Sequence, residues 1–346
     1  MDAVARTLAL RLRSQGLTGP RATRAEAVPA RLVGVQAQDL AFARLAFRPR
    51  STGLTAVDVD AALGERALVW TWLMRGTLHL IAAEDAGWLL GLLGPTFAAK
   101  GRPRRLALGL DDALCERALE ILRDVLAAEG AQTRATLAAR LPIDPGGQAP
   151  AHLLAYAALR GVICRGPLAG GREPTYVLLE DWLGGRRAPL DEDRALAQLA
   201  RRYLAGYGPA TAHDLAAWSG IGLRRARRGF EQIAAELCEA TDAGFLLTGA
   251  GADASEGRQV ALLGHFDPYL LGYASRDLVL DPRFAKRIQA GGGFIAPAIL
   301  VDGRVAGTWR RGRRHWLEPF TPPADDVLAA LERERADVER FLASAP

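Results

Sequence analysis

Apolar residues along this chain recur mostly at helical spacing, and the helical stretches are punctuated by short alternating runs bounded by glycine. The order is clearest between residues 190 and 247. Residues 193–204 predict a helix, which 206–209 break. Thr211 with Asp214 three positions on has the form of a capping box. The short helix it opens, 212–218, stops at Ser219 and Gly220, where glycine suits the terminal turn. A third helix over 223–237 carries Arg224, Arg225, Arg227 and Arg228 in its first turns, and an extended run over 244–248 follows. Helix, tight turn, basic helix and extended return is the order of a winged helix-turn-helix. A generic helical hairpin with a solvated arginine face has the same pattern.

Looser copies precede it. Residues 113–128 predict a helix, Thr133 a cap for 134–140, 142–150 a linker and 151–160 a third helix; 162–165 and 176–179 then pair across a Gly-rich tip, 166–172, that has the character of a wing. The first copy runs from the N-terminal helix to a hairpin over 69–81. There Trp70, Trp72 and Met74 alternate with Thr71 and Leu73, and Arg75-Gly76 makes the turn. Thr77 and His79 fall on one face of the returning strand and Leu78 and Leu80 on the other.

After Gly249 the texture changes. Residues 259–263, 278–280, 294–301 and 304–309 are short β-like runs, and Asp302-Gly303 is a strong hairpin turn. A small β-barrel or sheet is expected, closed by an amphipathic helix over 325–343 with Val327, Leu328, Leu331, Val338 and Phe341 on its apolar side. The expected class is therefore α+β. Its modules are 1–100, 101–186 and 187–255, each a helical unit with a wing, then a β module at 256–322 and a terminal helix at 323–346.

Composition narrows the possibilities. A chain of 346 residues, 49% hydrophobic and 24% charged, is too long for one ordinary domain and too apolar to be disordered. No apolar run approaches the roughly 20 residues that span a bilayer. Asp2, Arg6, Arg11 and Arg13 break the N-terminal stretch, so a signal peptide is not expected. Cys115, Cys164 and Cys238 are odd in number and far apart, which fits buried thiols in a reducing cytoplasm. Net charge is +5, and of the 44 basic residues only Lys100 and Lys286 are lysine. A GC-rich genome accounts for that bias as well as a phosphate-binding surface does. Composition alone does not choose.

Common catalytic signatures are missing. No Gly-Lys-Ser/Thr, Gly-x-Ser-x-Gly or His-Glu-x-x-His occurs, and His79, His152, His213, His265 and His315 show no ligand spacing. No metal and no cofactor are expected. What remains is Gln36-Ala37-Gln38-Asp39 in an apolar context. Amides at i and i+2 share a side only on extended or irregular backbone, since on an ideal helix they lie about 200° apart. Taken alone, this is equally a pair of buried glutamines satisfying backbone groups near a helix start.

Gln36-Ala37-Gln38 followed by Trp70-Thr71-Trp72-Leu73-Met74-Arg75-Gly76-Thr77-Leu78-His79-Leu80 resembles the N-terminal signature of the AlkZ/YcaQ family of winged-helix DNA glycosylases. Gly264-His265-Phe266-Asp267-Pro268-Tyr269-Leu270-Leu271-Gly272 and Val301-Asp302-Gly303-Arg304-Val305-Ala306-Gly307-Thr308-Trp309-Arg310 resemble its C-terminal blocks. The resemblance implies three tandem winged helix-turn-helix motifs in a C shape, a C-terminal β-barrel, and excision of bulky or crosslinking N7-alkylated purines from double-stranded DNA. Glutamine at both motif positions is similar to the AlkZ branch, in which case Gln36 and Gln38 are the catalytic pair; Asp39 lies one residue past the acid of the YcaQ branch and is not its counterpart. Thr77, His79 and Arg75 are then expected at the lesion. Arg224, Arg225, Arg227, Arg228, Arg310, Arg311, Arg313 and Arg314 are expected at phosphates. With two lysines only, a Schiff-base lyase is disfavoured and water is the expected nucleophile. A cytoplasmic monomer, associated with the nucleoid and serving repair or self-protection against a DNA-alkylating metabolite, follows from the same resemblance. The competing function is a winged-helix regulator that binds DNA without catalysis.

Overall fold

The alternating runs of the middle of the chain form an antiparallel sheet, and the periodic runs around it form helices. The computed structural model describes residues 2–171, 173–185, 188–250, 258–312 and 316–343. Two compact units divide the chain, one joining residues up to Ala61 with those from Leu196 onward, the other Ala62–Ala195. The class is α+β, as expected.

In the middle unit, Leu68–Trp72 and Leu78–Ala82 pair in the expected hairpin, with Thr71 opposite His79 and Trp70 opposite Leu80. Ile163–Ala169, Glu173–Leu178 and Gln132–Thr133 extend the sheet beyond Leu68–Trp72 in that order. The second hairpin reaches further into its tip than alternation suggests. Ala169 still pairs with Glu173 across a register shift, and the Thr175 hydroxyl donates to the Pro167 carbonyl at 2.6 Å to bridge the irregular stretch. Helix Asp112–Glu129 is capped by Asp111, and Thr133 accepts from the Thr136 N–H to start Arg134–Arg140 as expected. A 22-residue helix, Ala86–Ala107, holds Pro95 and Pro103 inside it, which is why the sequence does not advertise it.

In the other unit, Thr211 and Asp214 form the expected capping box at the start of Ala212–Ser219, and Gly220 closes it in the left-handed region. The basic helix is shorter than predicted, Leu223–Gln232. The chain tightens into a 3-10 turn at Ala234–Glu236, and from Leu237 it pairs with Gly244–Leu247 in a hairpin. Helix, helix, helix and hairpin thus recur in both units.

The C-terminal β module departs from expectation. Among the described residues it is an open four-stranded antiparallel sheet, in the order Leu317–Pro319, Arg304–Trp309, Ala298–Val301 and Val260–Leu263, and not a closed barrel. The outer edge of Val260–Leu263 is occupied by side chains. Its Leu262 N–H donates to the Glu334 carboxylate at 2.9 Å, and its Leu262 carbonyl accepts from Arg48 at 2.7 Å. Groups held this way are unavailable to a further strand. Residues 278–280 are a turn rather than a strand, their Val279 carbonyl accepting from the Val305 N–H. The run 294–301 is regular only from Ala298, because Pro297 has no N–H for a ladder. The closing helix, Asp325–Leu342, buries Val327, Leu331, Val338 and Phe341, but Leu328 is 43% exposed and off the apolar stripe. Cys115 and Cys164 are buried as expected; Cys238, on the two-stranded hairpin, is exposed. Among the described residues no helix is long and apolar enough to cross a membrane.

Helix Ala86–Ala107 crosses helix Ala149–Leu159 so closely that a Cβ at Gly94 would run into the Leu159 carbonyl. Gly94→Ala should therefore cost about 1–3 kcal/mol, read as a lower denaturant midpoint; a midpoint at or above wild type would show that the crossing has slack.

Candidate functional site

Helix Ala27–Leu32 ends at Val33, whose φ of 59° lies in the left-handed region, and Gly34 follows with φ of 140°. The reversal releases the backbone into the extended pair Val35–Gln36. Asp39 is also extended, and its carboxylate accepts from the N–H groups of Ala41 (2.8 Å) and Phe42 (3.3 Å), starting helix Leu40–Phe47. The two glutamines thus stand on non-helical backbone between two helices. Ala37 between them is fully buried, whereas Gln36 is half-buried and Gln38 exposed. Gln36 ends the extended pair, and Gln38 lies in the bend that leads to Asp39. Neither glutamine is fully buried. Asp39 is committed to its cap.

The helix that the motif opens is fastened to the C-terminal block 264–272. Gly264 sits against it so tightly that a Cβ there would lie 2.8 Å from the Leu45 Cβ. The His265 ring lies 4.0 Å, centroid to centroid, from Phe42, and its Nδ1 donates to the Ile295 carbonyl at 3.2 Å. Burial lowers the His265 pKa, with Arg310 adding to the effect and the Asp39 carboxylate opposing it. The strongest fastening is Arg50. Its guanidinium meets Asp267 through two bonds, 2.7 and 2.8 Å, and donates further to the Ala46 carbonyl, the Gln15 carbonyl and the Gln15 side-chain oxygen. All five N–H donors are used. Two residues earlier Arg48 turns the other way, to Leu262, Glu334 and Asp337. Neither arginine was singled out by sequence reasoning. The available signal was a carboxylate inside the apolar run Phe266-Asp267-Pro268 and an Arg-Pro-Arg next to a helix end.

The remaining predicted residues are spread out. In the middle unit, Arg75 occupies the hairpin turn with φ of 56°, half-buried, and the Thr77 hydroxyl donates to the Met74 carbonyl at 3.1 Å. His79 is only 2% exposed and its Nδ1 donates to the Thr77 carbonyl at 2.9 Å. Burial, then the charge of Arg75, pushes its pKa down to about 3, so the ring is neutral. It braces the hairpin from inside. Arg224, Arg227 and Arg228 are exposed on helix Leu223–Gln232, while Arg225 is half-buried. Arg310 is exposed, and Arg311 meets Glu339 at 3.2 Å on the surface. Arg313 and Arg314 lie outside the described residues. Among the described residues no group of three His, Cys, Asp or Glu side chains is placed to hold a metal ion.

Comparison with known proteins gives a consistent picture. The family model described as DNA glycosylase AlkZ-like matches residues 30–341. A relative from Streptomyces sahachiroi, described as an interstrand DNA cross-link repair glycosylase, is 30% identical over 96% of this chain and 94% of its own. The solved structure of Streptomyces sahachiroi DNA glycosylase AlkZ superposes with a TM-score of 0.87 at 28% identity, covering 98% of this chain and 96% of that one.

Two outcomes follow from the buried groups. Asp267→Asn strands the Arg50 charge and should cost about 3–5 kcal/mol of unfolding free energy; a loss below about 1 kcal/mol in chemical denaturation would put the pair on a level with a surface ion pair. His79 contributes to pH dependence. Above pH 6.5 both folded and unfolded chains carry it neutral, but below that the unfolded chain takes up a proton that the folded one refuses until about pH 3, so stability falls as pH drops through this window. His79→Gln should flatten that slope in denaturation midpoints recorded from pH 7 to pH 4, and an unchanged slope would show that other groups set it.

Proposed function

The chain belongs to the AlkZ-like DNA glycosylase family, and from its site we propose that it releases N7-alkylated guanine, bulky or crosslinked, from double-stranded DNA with Gln36 and Gln38 positioning the attacking water. As a DNA glycosylase it hydrolyses N-glycosyl bonds. The observation that carries the finer proposal is the backbone of the motif: two amides on a non-helical segment, on either side of a fully buried Ala37 and followed by the Asp39 cap.

Neutral amides suit this leaving group. An N7-alkylguanine is already cationic, so the base departs without a strong general acid. The barrier that remains is an oxocarbenium-like sugar and a well-oriented water. A glutamine carbonyl can accept from that water and turn its dipole toward the developing positive charge, with no reorganisation at the moment of reaction. Asp39, whose Oδ1 accepts from two backbone N–H groups at the start of the next helix, is not the base in this scheme.

The recurring helix–helix–helix–hairpin order supports three winged-helix modules along 1–100, 101–186 and 187–255. Their exposed arginines, Arg224, Arg227 and Arg228, with Arg225, Arg310 and Arg311, are proposed to meet phosphates; the Arg311–Glu339 pair is exposed enough to exchange for one. Arg75 and Thr77 at the first hairpin are proposed to approach the lesion, with His79 supporting them. The protein is proposed to act as a monomer. Its service in self-protection against a DNA-alkylating natural product is an extension of the same proposal, suggested by the cross-link repair relative.

Single-turnover incubation with duplex DNA containing N7-methylguanine should liberate free base. Gln36→Ala and Gln38→Ala should each slow release by about a hundredfold or more with duplex affinity retained. Tight duplex binding without release from any N7 adduct, simple or bulky, would overturn the proposal in favour of a non-catalytic DNA-binding protein.

A further inference from the structure

Next to the glutamine segment the fold displays a group of rings that its own packing does not fully cover. Phe42, on the helix that the motif opens, carries His265 at 4.0 Å. His265 in turn lies 4.9 Å from Phe294, and Phe266 lies 5.3 Å from Phe294 in an edge-on arrangement. Phe294 is 37% exposed. It follows Gly291, Gly292 and Gly293, which all have positive φ (93°, 57° and 79°) and open space where a Cβ would stand. Three glycines in a row give the loop unusual freedom to raise or lower the ring that follows. Asp39, next to the motif, and Arg310 both act electrostatically on His265.

We propose that Phe294, backed by His265, is the shelf on which the alkylated purine stacks beside Gln36 and Gln38, and that it recognises the lesion by its positive charge. This inference rests on the function proposed above. The chemistry fits the class of ligand. An N7-alkylated purine is a delocalised cation, and the face of an aromatic ring attracts a cation held against it. A normal guanine offers only neutral stacking. The ring behind the shelf must not itself be positive, and burial keeps His265 on the neutral side of its ordinary behaviour, with its one N–H turned to the Ile295 carbonyl.

The same physics locates the effect. The base loses its positive charge as the glycosidic bond breaks, so a contact that favours the cation favours bound substrate over transition state. Phe294 therefore raises lesion affinity, and its loss should not lower the rate at saturation. It is a specificity-determining residue and not a catalytic one.

The test uses the full chain and two duplexes that resist hydrolysis. One carries 2′-fluoro-N7-methyl-2′-deoxyguanosine, which is cationic; the other carries 7-methyl-7-deaza-2′-deoxyguanosine, which has the same shape and no charge. Wild type should prefer the cationic duplex by about tenfold. Phe294→Leu, which keeps apolar bulk, should lose that preference, and Phe294→Trp should keep it. Affinity for undamaged duplex should stay within about twofold in all three, and the saturating rate of Phe294→Leu on N7-methylguanine should be no lower than that of wild type. Equal affinity of wild type for the two analogues, or a Phe294→Leu protein that retains the preference, would overturn the inference while leaving base release by wild type intact. Failure of wild type to release any base sinks the glycosylase mechanism instead, and the charge preference remains readable by binding alone.

Discussion

The ion pair between Arg50 and Asp267 is the interaction on which this candidate site depends. A buried guanidinium is tolerable only when every donor is met, and here the carboxylate, two backbone carbonyls and an amide oxygen meet all five. The geometry leaves little freedom. Arg50 lies on the turn just past helix Leu40–Phe47, so fixing it fixes the far end of the helix whose near end carries the glutamines. Arg48, two residues before, sends its guanidinium to the sheet edge and the closing helix. A three-residue turn, Arg48–Arg50, thereby ties the motif to the β module by two charged anchors pointing different ways. The buried polar network specifies one arrangement where apolar packing would accept several.

That network also explains which parts of the protein were legible in the sequence. Local rules found what local rules govern: the Thr211–Asp214 capping box, the Thr133 cap, the Asp302-Gly303 turn and the alternation of residues 68–82. The glutamine segment was not settled by its sequence: extended backbone was only the condition for the amides to share a side, and the structure shows an extended pair at Val35–Gln36. Long-range choices were not legible. The barrel expected after residue 256 became an open sheet because Arg48 and Glu334, one distant in sequence and the other on the closing helix, claim the Leu262 backbone groups. Helix Ala86–Ala107 was hidden by its two prolines, and helix Leu223–Gln232 was overdrawn because the chain tightens into a 3-10 turn at Ala234–Glu236 before a strand begins at Leu237. His79 looked like a chemical group on one face of a strand; only the packing shows both faces covered and the imidazole kept neutral.

The electrostatics around the motif are as informative as its residues. The adjacent carboxylate, Asp39, caps a helix through one of its oxygens, and the imidazole of His265 is held toward its neutral form. An enzyme hydrolysing an uncharged glycoside would need an acid to protonate its leaving group. A substrate that brings its own positive charge removes that need, and a site built from amides and uncharged rings is then sufficient.

The division of the chain has a consequence for the order of events during synthesis. The middle unit, Ala62–Ala195, is contiguous, whereas the unit bearing Gln36 and Gln38 is assembled from the first sixty-one residues and from everything after Leu196. A ribosome has therefore released the whole inner unit before Asp267 exists. Until that residue emerges, the charge of Arg50 has no counterion and the glutamine segment nothing to rest against. The nascent chain must carry its earliest-made segment unfinished after its inner unit is complete, so the surroundings of the glutamine segment are assembled only near the end of translation.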